Sequence, residues 1–385
     1  MTLKTLHGNF VFLEQRFTRA DGSGEVRYFE LSGEFADGYE SARLREFSAY
    51  YSNRLSYEEV ARLVERVSGR RQVSDQRIWQ GVVEKACEVS QDWAAAADAA
   101  TQAWAMPVVA PVVDIYDVQQ REVLVLADAI QVKGQPAQRQ RQSRETPEIS
   151  DSSDSSATSA SGLWVSTDVL MLEQANGSFK YLTAGLARDG AAAVSVEALA
   201  RANLSEQYGG RQDAPALPVV AITDGARVIR TQLLAIFGVL ITVILDWYHL
   251  EKKVWELMSM IARNKQEKEP HVACLLAHLW HGEVRQAQAY LRTEVTARNE
   301  AKRQELLGYL EKHAAEIIDY ERRQQAGKCV GSGRMEKGVD QVIGQRQKKK
   351  GMSWSRVGSK ALGILKVVEL NHAWEQTWFP QQAAA

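Results

Sequence analysis

At 385 residues and a formal net charge of −1, the chain is long enough for two or three domains and too evenly charged for a uniformly basic surface. Cys87, Cys274 and Cys329, odd in number and without metal-type spacing, exclude a disulfide framework and read as reduced thiols of a cytosolic protein. The start, MTLKTLHGNFVFLEQRF, lacks the pattern of a secretion signal, and the most apolar stretch, AIFGVLITVILDWYHL, stops short of a bilayer span, so a soluble intracellular protein is expected.

Residues 1–45 carry the alternating segments NFVFLEQRF and VRYFELSG around DGSG, which predicts a hairpin or small β-rich sheet. From residue 46 to 105 the pattern is helical. Ser56 and Glu59 form a capping box ahead of YEEVARLVERVSG, with Ala61, Leu63, Val64 and Val67 as its apolar stripe. SGRR breaks the pattern, and Ser74 can cap DQRIWQGVVEKACEV, which continues as an Ala-rich helix. Helix, tight basic turn and helix outline a helix-turn-helix. Arg70, Arg71, Gln76 and Arg77 sit where a recognition helix would meet DNA; a plain helical hairpin is the equally weighted alternative.

Residues 106–249 read as an α/β core. The chain is extended over Met106–Val113. REVLVLAD and AIQVKG form the first strand, a polar loop follows over 135–162, and DVLMLEQANGSFKYLTAGLA is a hairpin turning at Asn176-Gly177. Residues 194–207 are helical, LPVVAITDG is a strand, VIRTQLLAIFG a helix and VLITVILDWYHL a further strand. This order matches a ribonuclease-H-like core, parts of which several α/β folds share. Residues 250–328 read as an all-helical insertion, and residues 329–378 as the last part of the core. That last part holds the helix of GSGRMEKGVDQVIGQR and a final amphipathic segment, WSRVGSKALGILKVVELNHAW, before a tail.

Asp128 and Asp224 end apolar strand-like runs, and Glu336 opens a helix. Two strand-end carboxylates and one helical one suit a site for two divalent ions, with Asp128 bridging, Asp224 completing one coordination sphere and Glu336 the other. Mg2+ is the expected ion, because it prefers hard oxygen ligands. Gly225, Gly331 and Gly333 would give the backbone room at the site. Each acid alone has a plainer explanation, as a turn cap or a first-turn helix acid. Asp246 and His249, in ILDWYH, form a rival pair read as a supporting element, and they leave the second metal carboxylate open between Asp224 and Asp246. His271, His278 and His281 are helix-spaced and more readily packing or solvent positions than a zinc site. Trp247, Trp255 and Trp280 read as core. Residues 321–360 hold 11 Lys or Arg against 3 acids; Arg346, Lys348, Lys349, Lys350 and Arg356 are the candidate phosphate contacts.

On LSYEEVARLVERVSGRRQVSDQRIWQ, LADAIQVKGQ, AITDGA, ILDWYHLEKKV and GSGRMEKGVDQVIGQRQKKKGMSWS, the chain resembles a DDE transposase of a bacterial insertion sequence, in the Mutator-related group with an all-helical insertion. The resemblance covers nearly the whole length. It implies that Asp128, Asp224 and Glu336 are the catalytic acids and metal ligands, with Mg2+ as cofactor and Mn2+ as a substitute. It implies that Asp246 and His249 match the acid/cysteine-x-x-histidine signature. It further implies binding to double-stranded DNA with terminal inverted repeats, strand cleavage, joining to target DNA as a homo-oligomer, and a cytoplasmic, nucleoid-associated location. The chain departs from the pattern at Ala129, where relatives commonly carry glycine. The alternatives are an inactive DNA-binding repressor or architectural protein, and a nuclease or resolvase that only hydrolyses structured DNA.

Overall fold

The computed structural model describes residues 2–28, 39–103, 114–120, 122–135, 164–174, 176–186, 219–238 and 241–380. The expected extended stretch 106–113, nearly all of the loop 135–162, the helix 194–207 and the final tail residues lie outside these.

The N-terminal segment forms two small ribbons. β1 (Thr2–Thr5) pairs antiparallel with β2 (Gly8–Val11), and β3 (Arg16–Thr18) with β4 (Glu25–Arg27). The segment NFVFLEQRF is therefore divided between two ladders, and DGSG forms the turn of the second. Next come α1 (Ala42–Ser52), α2 (Tyr57–Ser68) and α3 (Asp75–Ala103). Both halves of the Ser56–Glu59 capping box are present, and α2 ends at Gly69 in the left-handed region, φ 79°. Its buried stripe is Val60, Ala61 and Val64, whereas Val67 is 54% exposed. Helix α3 starts under the Ser74 hydroxyl, which accepts from Arg77 N at 3.1 Å, and runs unbroken for 29 residues.

The central sheet contains β5 (Val123–Lys133), β6 (Trp164–Glu173), β7 (Phe179–Thr183), β8 (Val219–Thr223) and β9 (Ile241–Leu245). Its order is β7-β6-β5-β8-β9, with β6 antiparallel to β5 and β7, and β8 and β9 parallel to β5. Residues Val123 to Ala127 are all buried because both faces of β5 are covered, the condition under which a strand reads as a continuous apolar run. Val123, Val125 and Ala127 pack with Ile229, Leu233 and Phe237 of α4 (Arg227–Phe237). Leu124, Leu126, Ile130 and Val132 belong to the larger core on the opposite face. That core takes in Val82, Ala86 and Val89 of α3, and Leu362 and Leu365 of the later helix α12 (Arg356–Leu370). Helix α3 is thus packed into the same core as the C-terminal segment, Val60, Ala61 and Val64 of α2 form a separate cluster with Leu44, Val73 and Ile78, and Arg54 adds an ion pair to Glu369.

Strand β9 stops at Leu245, and Asp246 caps α5 (Trp247–Ile261), so WYHL is the helix start rather than strand. The helical run continues through α6 (Lys265–Trp280), α7 (Val284–Thr293), α8 (Glu300–Lys312) and α9 (Tyr320–Gln325). Between α6 and α7 the chain breaks at Gly282, φ 73°, whose position leaves no room for a Cβ against the Ile318–Asp319 backbone. This helical layer is tied back to the sheet by Arg323, fully buried, whose guanidinium pairs with Glu122 just before β5 and also donates to the carbonyls of Cys329 and Ile115. Then come α10 (Gly333–Val339), a π-helical turn over Asp340–Gly344, α11 (Gln345–Gln347), α12 and α13 (Trp374–Trp378). Among the described residues, no helix is long and apolar enough to cross a membrane.

Candidate active site

The ladders set three aspartates in one row. Leu126 stands opposite Ile222 across the parallel β5–β8 pair, so two residues further on Asp128 is level with Asp224. Thr223 stands opposite Leu245 in the β8–β9 pair, and Asp246 N donates to Thr223 O at 2.8 Å, so Asp246 is level with Asp224 in turn. Neighbouring strands are about 4.8 Å apart. Strand alternation puts all three on the side of Leu126, Ile222 and Ile244, which belong to the larger core. Helix α10, carrying Glu336, packs against β5 and β6 on that same side, its Met335 and Val339 in the same core. Gly338 allows the approach: a Cβ there would lie 2.4 Å from Met171 Sδ of β6.

The three aspartates differ in what they are doing. Asp246 is 1% exposed and saturated. One carboxylate oxygen accepts from Tyr248 N at 2.7 Å and His249 N at 3.3 Å, and the other from Ser332 N at 2.6 Å and from the Ser332 hydroxyl. His249 Nδ1 lies 3.5 Å away, a charge contact rather than a hydrogen bond. Burial alone would raise the Asp246 carboxyl, but His249 and the Ser332 donors overcome it and hold it below the usual carboxylate range. Asp246 therefore fastens the Gly331–Gly333 turn to the start of α5. The fit is tight: a Cβ on Gly331 would meet the Tyr248 ring at 2.4 Å, while the space at Gly333 is open.

Asp128 and Asp224 each accept a single short bond from the backbone, from Ala129 N at 2.7 Å and Ala226 N at 2.8 Å. Both are half-buried, and Glu336 is exposed. Burial pushes the Asp128 carboxyl up; its bond from Ala129 opposes this, Asp224 and Glu336 add to the rise, and His249 opposes it. The like charges felt by Asp128 are thus the other two acids of the expected trio. His249 is raised above the ordinary imidazole value by Asp246 first, against burial, with Asp224 and Asp128 adding. The site is a set of carboxylates repelling one another, with a histidine at its edge. As donors the trio suits a hard divalent cation. Among the described residues, no three His, Cys, Asp or Glu side chains stand close enough in this conformation to share one ion.

No protein-family model and no curated protein matches the chain.

The other expected site residues divide by exposure. Lys348, Lys349, Lys350 and Arg356 are exposed. Arg346 is a correction: it is 5% exposed, donates to Ser52 O at 2.8 Å and stacks on Trp354 at 4.8 Å, so it fastens the C-terminal segment to α1 instead of facing solvent. Arg70 and Gln76 are exposed. Arg71 pairs with Glu58 at 2.8 Å, and Arg77 lies 3.3 Å from Glu40 and 3.1 Å from Glu84, which commits both to intramolecular contacts. The three helix-spaced histidines take separate partners: His271 with Tyr290, His278 with Glu283 and His281 with Glu321. Trp247 and Trp280 pack edge-on at 4.7 Å, but Trp255 is 36% exposed under Lys268.

Sequence reading missed Ser332, His313 and Glu316. Ser332 was hidden inside a small-residue stretch, 86 residues from its partner Asp246. His313 and Glu316 are bonded Nδ1 to Oε2 at 2.6 Å and both buried, in the turn after α8. Their spacing of three was a signal, but nothing local pointed it toward Asp224.

Proposed function

We propose that the chain is a DNA transposase of the DDE type, binding the ends of a mobile element and cutting and joining DNA strands. The observation that carries this reading is the single row of Asp128 and Asp224 on adjacent parallel strands, with the helix bearing Glu336 packed over it. Supporting it is the strand order, in which β5 to β7 form an antiparallel meander and β8 and β9 add in parallel on the other side of β5. That is the order of a ribonuclease-H-like core, with the helices from α5 to α9 as the insertion between the second and third acids. The exposed lysines 348–350, on the segment that follows Glu336, are suited to holding phosphates without reading sequence.

In this reading Asp128, Asp224 and Glu336 would hold Mg2+, which when bound supplies charge stabilisation of the attacking and leaving oxygens at phosphorus. The chain's own part is to bring Asp128 and Asp224 level on the sheet with the helix of Glu336 packed over them. Asp128, within β5, accepts from Ala129 N, and Asp224, one residue past the end of β8, accepts from Ala226 N, while Asp246 locks the turn that leads to Glu336. Asp246 is assigned to support rather than to the metal, because its two oxygens already accept four bonds. The α2–α3 hairpin, with Arg70 and Gln76 exposed, is the proposed DNA-end reader. Assembly into a homo-oligomer on DNA belongs to the same proposal.

The test is incubation of the full chain with duplexes carrying the sequences that flank its coding region. Specific end binding and Mg2+-dependent nicking, lost in Asp128→Asn and Glu336→Gln, is the expected result. End binding without any cleavage would leave a DNA-binding regulator in place of the transposase, and absence of both binding and cleavage would refute the proposal outright.

A further inference from the structure

We infer that His313, held by Glu316, is a positioning residue for Asp224, so that the helical segment completes the acid site instead of merely sitting beside it. This rests on the reading of Asp224 as a metal ligand. Three sets of contacts converge on the turn that carries Asp224.

The first is steric. Gly225 follows Asp224 at φ 83°, and a Cβ there would lie 2.8 Å from His313 Cε1 and 2.9 Å from Leu245 Cδ1. The imidazole is therefore a wall against the backbone next to the carboxylate. The second is the fixing of that wall. His313 and Glu316 are 2% and 4% exposed at their side chains and bonded at 2.6 Å, and the Tyr309 ring packs on the imidazole with centroids 4.8 Å apart. The third is the reach of Glu316. Its carboxylate lies 2.9 Å from Arg230 Nε in α4, the helix that Asp224 leads into. Its carbonyl accepts from Leu245 N at 2.9 Å, at the end of the neighbouring strand. One turn of the helical layer thus grips the residue after Asp224, the helix beyond it and the strand beside it. Tyr309 feels the same neighbourhood: burial first, then Asp224, Glu316 and Asp246, push its phenol up to about 12.

Fastening the helical layer is the plainer role for a buried His–Glu pair. Buried ionic pairs are weak contributors to net stability compared with apolar packing, and the contacts here reach the residue after Asp224, the helix it leads into and the strand beside it. Groups that orient a metal ligand from behind typically change metal affinity by about 10–100-fold when removed.

The deciding experiment measures Mn2+ uptake by the full chain, from the loss of the free-ion electron spin resonance signal. It compares wild type, His313→Ala, Asp224→Asn and the double variant, with circular dichroism verifying the fold. The expected result is that His313→Ala weakens Mn2+ binding on the order of ten-fold in the wild-type background. In the Asp224→Asn background it should change nothing further, because the ligand it positions is gone. An equal loss in both backgrounds, or none in either, overturns the inference. Should His313→Ala fail to fold, His313→Phe keeps the ring volume against Gly225 and drops the bond to Glu316. It should shift affinity in the same direction by a smaller factor, again only with Asp224 present; no shift overturns the inference. A wild type that neither takes up Mn2+ nor cuts flanking DNA removes the functional reading and this inference together. A wild type that does both while His313→Ala matches it removes the inference alone.

Discussion

Asp128 feels both other acids of the expected trio. Its carboxyl is raised from 3.8, through burial first and then through Asp224 and Glu336, so folding disfavours its ionised form. The penalty is absent well below the unfolded value and grows as pH rises through it. Asp128→Asn should therefore raise the melting temperature of the metal-free protein at neutral pH. Calorimetry at falling pH should find the gain shrinking as the wild-type carboxyl protonates; a lower melting temperature at neutral pH would contradict the account. Asp246 and His249 have the opposite sense. The depressed Asp246 contributes stability above its unfolded value that is lost as pH falls through the folded one. The raised His249 contributes fully below about 6.5 and loses its contribution as pH rises through its folded value. His249→Gln should accordingly flatten the fall in denaturant stability as pH rises above about 6.5. Gly331→Ala belongs to the same scale: with the Tyr248 ring 2.4 Å from the new Cβ, it should cost about 1–3 kcal/mol in urea unfolding.

At the scale of elements, the basic segment after Glu336 divides into two roles. Arg346 points inward to Ser52 O and Trp354, while Lys348, Lys349 and Lys350 remain exposed. Replacing the three lysines by alanine should weaken DNA binding and reduce the slope of log affinity against log salt by up to about 3, with melting unchanged. Arg346→Ala should lower stability and leave the salt slope nearly unaltered. Charge along the sequence made the segment legible as basic but not which of its residues face inward, because that depends on α1 packing against it. The strands and caps were more legible. The apolar run Val123–Ala127 read as strand because both faces of β5 are covered, and Ser56 read as a cap because its partner Glu59 is three residues away. Val67 was misplaced on the buried stripe since α2 ends one residue later and its last turn leaves the core. Asp128, Asp224 and Glu336 could be singled out by residue type and strand position. The bonds from Ser332 to Asp246, and the wall from His313 to Gly225, could not, because they join segments far apart in sequence.

For the whole molecule, one face of the sheet, α3 and the C-terminal segment share one core, and the helical layer is held to it partly by the buried Arg323–Glu122 pair, with Lys328 Nζ also 3.2 Å from Glu122. Removing Arg323 leaves Glu122 paired with Lys328 alone and frees the carbonyls of Cys329 and Ile115, so Arg323→Met should destabilise, by less than the about 3–5 kcal/mol of a charge left wholly unpaired. Chemical denaturation would measure the loss, and no loss would contradict this role for Arg323. This connection matters because the layer brings His313 and Glu316 to the Asp224 turn while α10 brings Glu336 to Asp128. The central claim is that Asp224 works with Asp128 and Glu336 while Asp246 only braces the turn before Glu336. Its most direct test is Mg2+-dependent cleavage of flanking-sequence DNA by wild type, Asp224→Asn and Asp246→Asn. Cleavage abolished in Asp224→Asn and partly retained in Asp246→Asn is predicted; the reverse pattern would contradict the assignment and move the metal carboxylate to Asp246.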